Sequence, residues 1–297
     1  MNRSKCIGWG LLFALLITAC TSHTEEVTMH EIKLEGSIVP ASRVTNLDIQ
    51  STQIVENRQV GVTITKASTP HNNVSWLADG NGMLTNTGAP IYWKNTNATI
   101  TAYHPYQRGW TSTSHTFSVQ ADQSTDSDYL DSDLLWAQNT SPASHVPVVL
   151  NFTHKLAQIG VTLSSDNLPE LSNITISICG TKPSVEFNPA TGELSPATGS
   201  AVDIKAGITT ASAPTASAII IPQVVESGTK LVQITYHGSN YYYALPKDIE
   251  FKSGTSYHFM LKVNVKNNDS LGIGVVFEDA EMTEGDSYEF SYEWADQ

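Results

Sequence analysis

The chain has 297 residues, 15% charged and 40% hydrophobic, with 16 Lys+Arg against 29 Asp+Glu and a net charge of −13. Apolar content at this level excludes a fully disordered chain, and the acidic balance argues against nucleic acid or any other partner bound through phosphates. Three cysteines are too few for a disulfide-stapled miniprotein or a zinc ribbon.

At the N-terminus, Arg3 and Lys5 precede an apolar run from Ile7 to Ala19. The run is shorter than the ~20 residues of a spanning helix and reads as the core of a signal peptide. It ends Ile17-Thr18-Ala19-Cys20, a branched apolar residue, two small residues and a cysteine, which is the lipobox pattern. The expectation is a lipoprotein signal peptide over 1–19 and a diacylglycerol on Cys20, giving strong membrane anchoring without a transmembrane helix. Thr21 to Thr28 is polar and reads as a flexible tether. With Cys6 removed and Cys20 acylated, Cys179 is left alone, most simply as a small core residue on a strand.

Alternation dominates the body. Ile32 and Leu34 alternate with Lys33 and Glu35 in a first strand running to Ile38; Val60, Val62 and Ile64 form a second, and 98–103 continues to the turn at His104-Pro105. Val148, Leu150 and Phe152 alternate, as do Ile159, Val161 and Leu163. Further strands are expected at 173–179, 218–221, 231–236, 241–245, 257–265, 273–277 and 287–294, separated by turn signals such as Asn188-Pro189-Ala190-Thr191-Gly192. Many short strands at this spacing predict an all-β fold of sandwich type. The polar, Pro-containing stretch 138–144 reads as a seam, giving two β-sandwich domains, 44–145 and 146–297.

Catalytic motifs are missing. No Gly-x-Ser-x-Gly, His-Glu-x-x-His, Walker loop or Cys-x-x-Cys occurs, so the sequence calls for no enzyme, no cofactor and no metal. His104 and His154 read as polar edge residues, and Asp126, Asp128, Asp131 and Asp133 as a solvated acidic loop rather than a calcium site. Trp93, Trp110 and Tyr241-Tyr242-Tyr243 offer a stacking platform for sugar rings, and with it an alternative function as a surface glycan-binding lipoprotein. Consecutive tyrosines on a strand face opposite sides, so part of that cluster belongs to the core. At the C-terminus Tyr288, Phe290, Tyr292 and Trp294 occupy every second position, with Ser and Glu between. Such a strand has one apolar and one polar face. It either completes its own sheet or is offered to a neighbouring molecule, where main-chain hydrogen bonds give affinity and alternate side chains fill pockets.

The lipobox Ile17–Cys20, the segment Ser132-Asp133-Leu134-Leu135-Trp136-Ala137, the stretch from Val148 to Ile159, Ile221-Pro222-Gln223 and the stretch from Phe251 to Phe259 together resemble the fimbrillin family, the lipoprotein-precursor pilins of type V fimbriae. The resemblance implies two tandem transthyretin-like sandwiches and a precursor displayed on the cell outer membrane. It also implies removal of the first strand by an arginine-specific protease, and filling of the vacated groove by the C-terminal strand of another subunit. Arginine occurs only at 3, 43, 58 and 108. Arg43, in the small-residue segment Pro40-Ala41-Ser42-Arg43-Val44 after the first strand, is the expected site, cut before Val44, with Arg58 as the fallback. Residues 20–43 would then be tether and removable strand, and 288–294 the candidate donor. The implied partners are other fimbrial subunits, in a homo- or hetero-polymer, the outer membrane through the lipid, and a host or bacterial surface receptor. The chain stops at Gln297, almost directly after the aromatic strand, which leaves shaft, tip and anchor positions all open.

Overall fold

The computed structural model describes residues 30–39, 52–65, 70–94, 97–143, 145–164, 174–208, 214–236, 238–268, 272–284 and 290–292. The protein is almost entirely β. In the first part, β1 (Leu34–Ile38), β2 (Gln59–Thr65), β3 (His71–Ala78), β4 (Met83–Asn86) and β5 (Ala98–His104) are followed by β6 (His115–Ser118), β7 (Asp122–Gln123) and a short helix α1 (Asp126–Ser132). β8 (Leu135–Ser141) and β9 (Val148–His154) complete it. Seven of these strands pair in the order β1-β4-β3-β2-β5-β8-β9, and β9 returns to β1, so the path closes into a barrel. The closing pair is parallel; the other pairings in the barrel are antiparallel. Alternation dictates what enters this barrel: Leu34, Val62, Ile64, Ile100, Leu150 and Phe152 are fully buried.

The second part runs β10 (Ala157–Ser164), β11 (Ile174–Thr181), β12 (Ser184–Asn188), β13 (Glu193–Leu194), β14 (Val202–Ile208), β15 (Thr215–Ile220) and β16 (Gln223–Val225). It continues with β17 (Lys230–Tyr236), β18 (Ser239–Ala244), β19 (Ile249–Phe251), β20 (Ser256–Asn268), β21 (Gly272–Glu284) and β22 (Phe290–Tyr292). Its main sheet has the order β18-β17-β11-β14-β15-β10-β20-β21-β22, with β7 beside β14. Two small sheets, β13-β12-β6 and β16-β19, flank it.

Two apolar clusters result, and they do not divide the sequence at one point. The barrel core draws on residues from Ile32 to Phe152, so β9 belongs with it. The second core begins at Leu156 but also takes Tyr103, Phe117, Val119, Tyr129 and Leu134 from the earlier part. The polar stretch 138–144 includes the second half of β8: Gln138 to Ser141 pair in register with Thr101 to Ala98 of β5. Polar residues can fill such a strand because the ladder uses backbone groups and the outward face is solvated.

The acidic segment 126–133 is not simply a loop. Thr125 caps α1, its hydroxyl accepting from the backbone N–H of Asp128, while Asp126 and Asp128 sit in the first turn, where the helix dipole favours carboxylates. Tyr129 and Leu130 form the buried face of the helix.

Candidate functional site

The implied assembly chemistry points to β1 and its surroundings. β1 lies between β4 and β9 with unequal contacts. Against β9 it runs in parallel register from Leu34↔Val148 to Ile38↔Phe152, whereas against β4 it pairs at Leu34↔Leu84 and Glu35↔Met83. Beyond those rungs, single backbone bonds hold it. Ile32 N–H donates to Ile91 O at 2.8 Å, Gly36 N–H to Gly82 O at 2.7 Å, Ile38 N–H to Thr52 O at 2.8 Å and Val39 N–H to Phe152 O at 2.8 Å. Its inward side chains Ile32, Leu34 and Ile38 are at most 4% exposed, while Glu31 and Lys33 face solvent. A cleft of about 310 Å³ opens beside its start, lined by Glu31, Lys33, Trp76, Thr85, Asn86 and Pro90.

The inward position between Leu34 and Ile38 is Gly36. A Cβ built there would lie 3.0 Å from Cε2 of Phe152 and 3.4 Å from Cδ1 of Leu84. The Phe152 ring therefore takes the space that a side chain of β1 would fill. Neither Gly36 nor Phe152 was singled out from the sequence for this role; the available signal was the glycine interrupting an otherwise apolar inward register.

The other expected site residues distribute as follows. Cys20, Arg43, Val44, Tyr288 and Trp294 lie outside the described residues. Phe290 and Tyr292 fall in β22, which pairs antiparallel with β21 of the same chain at Met282↔Phe290 and Ala280↔Tyr292. Arg58 is engaged, its Nη1 2.9 Å from Oδ1 of Asp131.

Nor do the aromatics form an open platform. Trp93 is 3% exposed in the barrel core. Trp110 is occupied by ring contacts to Tyr103 at 5.3 Å, His115 at 5.1 Å and Phe187 at 6.0 Å. Tyr241, Tyr242 and Tyr243 alternate as strand geometry requires, with Tyr243 buried and Tyr242 exposed under the Lys230 ammonium. Burial pushes the Tyr103 phenol up to about 12, and its hydroxyl donates to Asn73 Oδ1 at 2.8 Å. The two aromatic residues on which a sugar platform most depended are thus core and junction residues.

Of the two histidines read as edge residues, His104 is buried and His154 is half-buried. His104 is 1% exposed; its Nδ1 lies 2.9 Å from Gln59 O, and burial holds its pKa below the ordinary imidazole value. His154 Nδ1 meets Asp133 Oδ1 at 2.8 Å. Strand pairing explains the inward turn, because His104 and His154 flank the fully buried Leu135 from opposite sides at the barrel's end. Among the described residues no cluster of three or more metal-ligating side chains occurs. Cys179 is buried and free, and burial pushes its thiol up to about 12, so it is inert packing.

Another residue without an assigned role joins the two cores. Trp136 points out of the barrel, packs against the second cluster and donates from Nε1 to Pro189 O at 2.9 Å. Gly192, at φ +72°, presses on the indole so closely that a Cβ would sit 2.5 Å from the ring. The turn 188–192 is therefore a clamp.

An all-β protein whose short first strand plugs a barrel between two neighbours is what these observations define. The chain belongs to the fimbrillin-like family, whose sequence profile matches residues 42–279. Members are structural and adhesive proteins of cell-surface fimbriae rather than enzymes, and they associate with other fimbrial subunits. Similar solved structures include a candidate cell adhesion protein from Bacteroides ovatus ATCC 8483, at TM-score 0.62 and 19% identity over 85% of this chain and 97% of that one. A second, from Bacteroides uniformis ATCC 8492, gives TM-score 0.59 and 19% identity over 85% and 97%. At these identities the likeness is one of fold. No curated protein matches the sequence significantly.

Proposed function

We propose that this chain is an outer-membrane lipoprotein that becomes a fimbrial subunit or fimbria-associated adhesin by β-strand exchange. The observation that carries the reading is the state of β1. It is a strand of five residues whose inward side chains fill the barrel and whose onward connection, 39–58, is long. Withdrawing it would bare apolar pockets and unpaired N–H and C=O groups on β4 and β9, an edge that recruits another strand. In this reading Cys20 carries the lipid. A protease hydrolyses the Arg43–Val44 bond; Arg58, tied to Asp131, is the poorer substrate. The segment 288–294 detaches from β21 to serve a neighbouring subunit, and a surface receptor is the eventual target. We read two domains, one around each apolar core, with Tyr103, Phe117, Val119, Tyr129 and Leu134 reaching from the first into the second.

The test is N-terminal sequencing of surface-purified protein together with unheated gels. A chain starting at Val44, in ladders that disappear when the protein is truncated after Gly285, is the expected result. An acylated, uncut chain that stays monomeric at all concentrations overturns it.

A further inference from the structure

We infer that the β1 groove of this protein accepts a strand from a different subunit, one with glycine opposite Phe152, and rejects the aromatic C-terminal strand of a second copy. The inference rests on the strand-exchange reading above and adds the donor's chemistry to it.

The groove is shaped by what now fills it. Its inward register is large at Ile32, large at Leu34, glycine at 36 and large at Ile38, while Glu31, Lys33, Glu35 and Ser37 take the outward positions. Ser37 Oγ donates to Asn151 Oδ1 at 2.9 Å on that outer side. At the glycine position the space is already taken, since even a Cβ meets Phe152 at 3.0 Å. Phe152 is fully buried within the barrel core, so its ring has no solvent to swing into. Close-packed interiors resist such insertion. Alanine asks the ring to yield by a few tenths of an ångström; anything longer must displace it.

The chain's own aromatic segment 288–294 fails this template whichever face it turns inward. With its apolar face inward, Tyr288, Phe290, Tyr292 and Trp294 occupy successive pockets, so one ring lands on Phe152. Sliding past either end brings Asp286 or Asp296 to the glycine position instead. Turning the strand over sends Glu289 and Glu293 into the barrel, and burying an unpaired carboxylate is costlier still. The partner that fits is a strand of pattern large-x-large-x-Gly-x-large with polar residues between. A protein whose groove excludes its own donor does not form a homopolymer through that pair, and it occupies a heterotypic position.

Peptide exchange on the full chain tests this. A specific protease sequence replaces residues 44–49, the chain is cut there with β1 left in place, and labelled peptides compete for the groove. The peptide of residues 30–39 should replace the resident strand. The same peptide with Gly36→Leu should bind at least about tenfold more weakly, and a peptide of residues 286–297 should not compete. A barrel carrying Phe152→Leu should recover binding of the Gly36→Leu peptide. Competition by 286–297 within a few-fold of 30–39, or equal binding of the Gly36→Leu peptide, overturns the inference and leaves strand exchange standing. Failure of the 30–39 peptide itself to exchange overturns strand exchange, and the inference with it.

Discussion

β1 and β20 each lie parallel to a neighbour, β1 beside β9 over five rungs and β20 beside β10 over seven. Their second edges separate them. β20 is paired with β21 through twelve positions to Asn268↔Gly272, and the two strands are joined by residues 269–271. β1 has two rungs to β4 and then twenty residues before β2. One strand is paired along both edges; the other is paired along one edge, meets its second neighbour at two rungs and adds three buried side chains. Two parallel pairs of similar length can therefore differ in how far the second edge is paired.

The largest effect that breaks or sharpens this contrast comes from emptying one pocket in each strand. Leu34→Ala and Leu261→Ala both remove a fully buried side chain, and each should cost about 2–5 kcal/mol in denaturant unfolding. The distinction lies in rescue. Excess peptide of residues 30–39 should restore stability to Leu34→Ala by replacing the weakened strand, whereas a peptide of residues 256–268 should do nothing for Leu261→Ala. Rescue of both, or of neither, removes the difference claimed between the strands.

Next come the two glycines that touch aromatic rings. Gly36→Leu in the intact chain drives a side chain into Phe152 and should cost about 1–3 kcal/mol, confined to the barrel. Gly192→Ala forces both a left-handed backbone and a contact at 2.5 Å with Trp136, with a cost of similar order. Its reach differs, because Trp136 joins the cores. Thermal unfolding followed by tryptophan emission should stay a single transition in Gly36→Leu and broaden or split in Gly192→Ala. A single sharp transition in the second variant would show that Trp136 does not couple the cores.

How far the sequence spoke follows the same line between side-chain pattern and backbone pairing. The strand 148–152 is legible because one face is buried and the other is not, and 60–64 and 257–263 because apolar residues recur at every second position. β3 is not, since His71, Asn72 and Asn73 are polar and Asn73 turns to φ +48° beside a register shift in its pairing with β2. The second half of β8 looks like a linker because its order comes from β5, about forty residues earlier in the chain, rather than from local composition. The candidate site divides in the same way. That β1 is a strand with an arginine beyond it can be read directly; that it lies parallel to β9 and yields its third inward position to Phe152 cannot, because both depend on a partner more than a hundred residues away.

The smallest expected effect is on pH, and it again sets barrel against second sheet. His104 and His258 are both buried, and burial lowers the pKa of each below the usual imidazole value. Asp133 and Asp131 near His104 favour its charged form and Arg58 opposes it, but desolvation outweighs them. His104 donates from Nδ1 to Gln59 O, and its Nε2 is buried with no hydrogen-bond partner among the described residues, so a second proton there would find no acceptor. His258 keeps Nε2 2.8 Å from the Thr162 hydroxyl, which can accept or donate. In both cases the unfolded chain binds the proton more readily, so stability is complete above the ordinary value of about 6.5 and falls as pH drops below it. The barrel should lose more than the second sheet. His104→Gln, which keeps a donor for Gln59 O and cannot titrate, should flatten the barrel's acid-induced loss between pH about 7.5 and 5. Trp76 and Trp93 emission reports the barrel, and Trp110 and Trp136 the second cluster. An unchanged acid profile in His104→Gln would move the sensitivity elsewhere, with His258→Gln as the matching measurement on the other side.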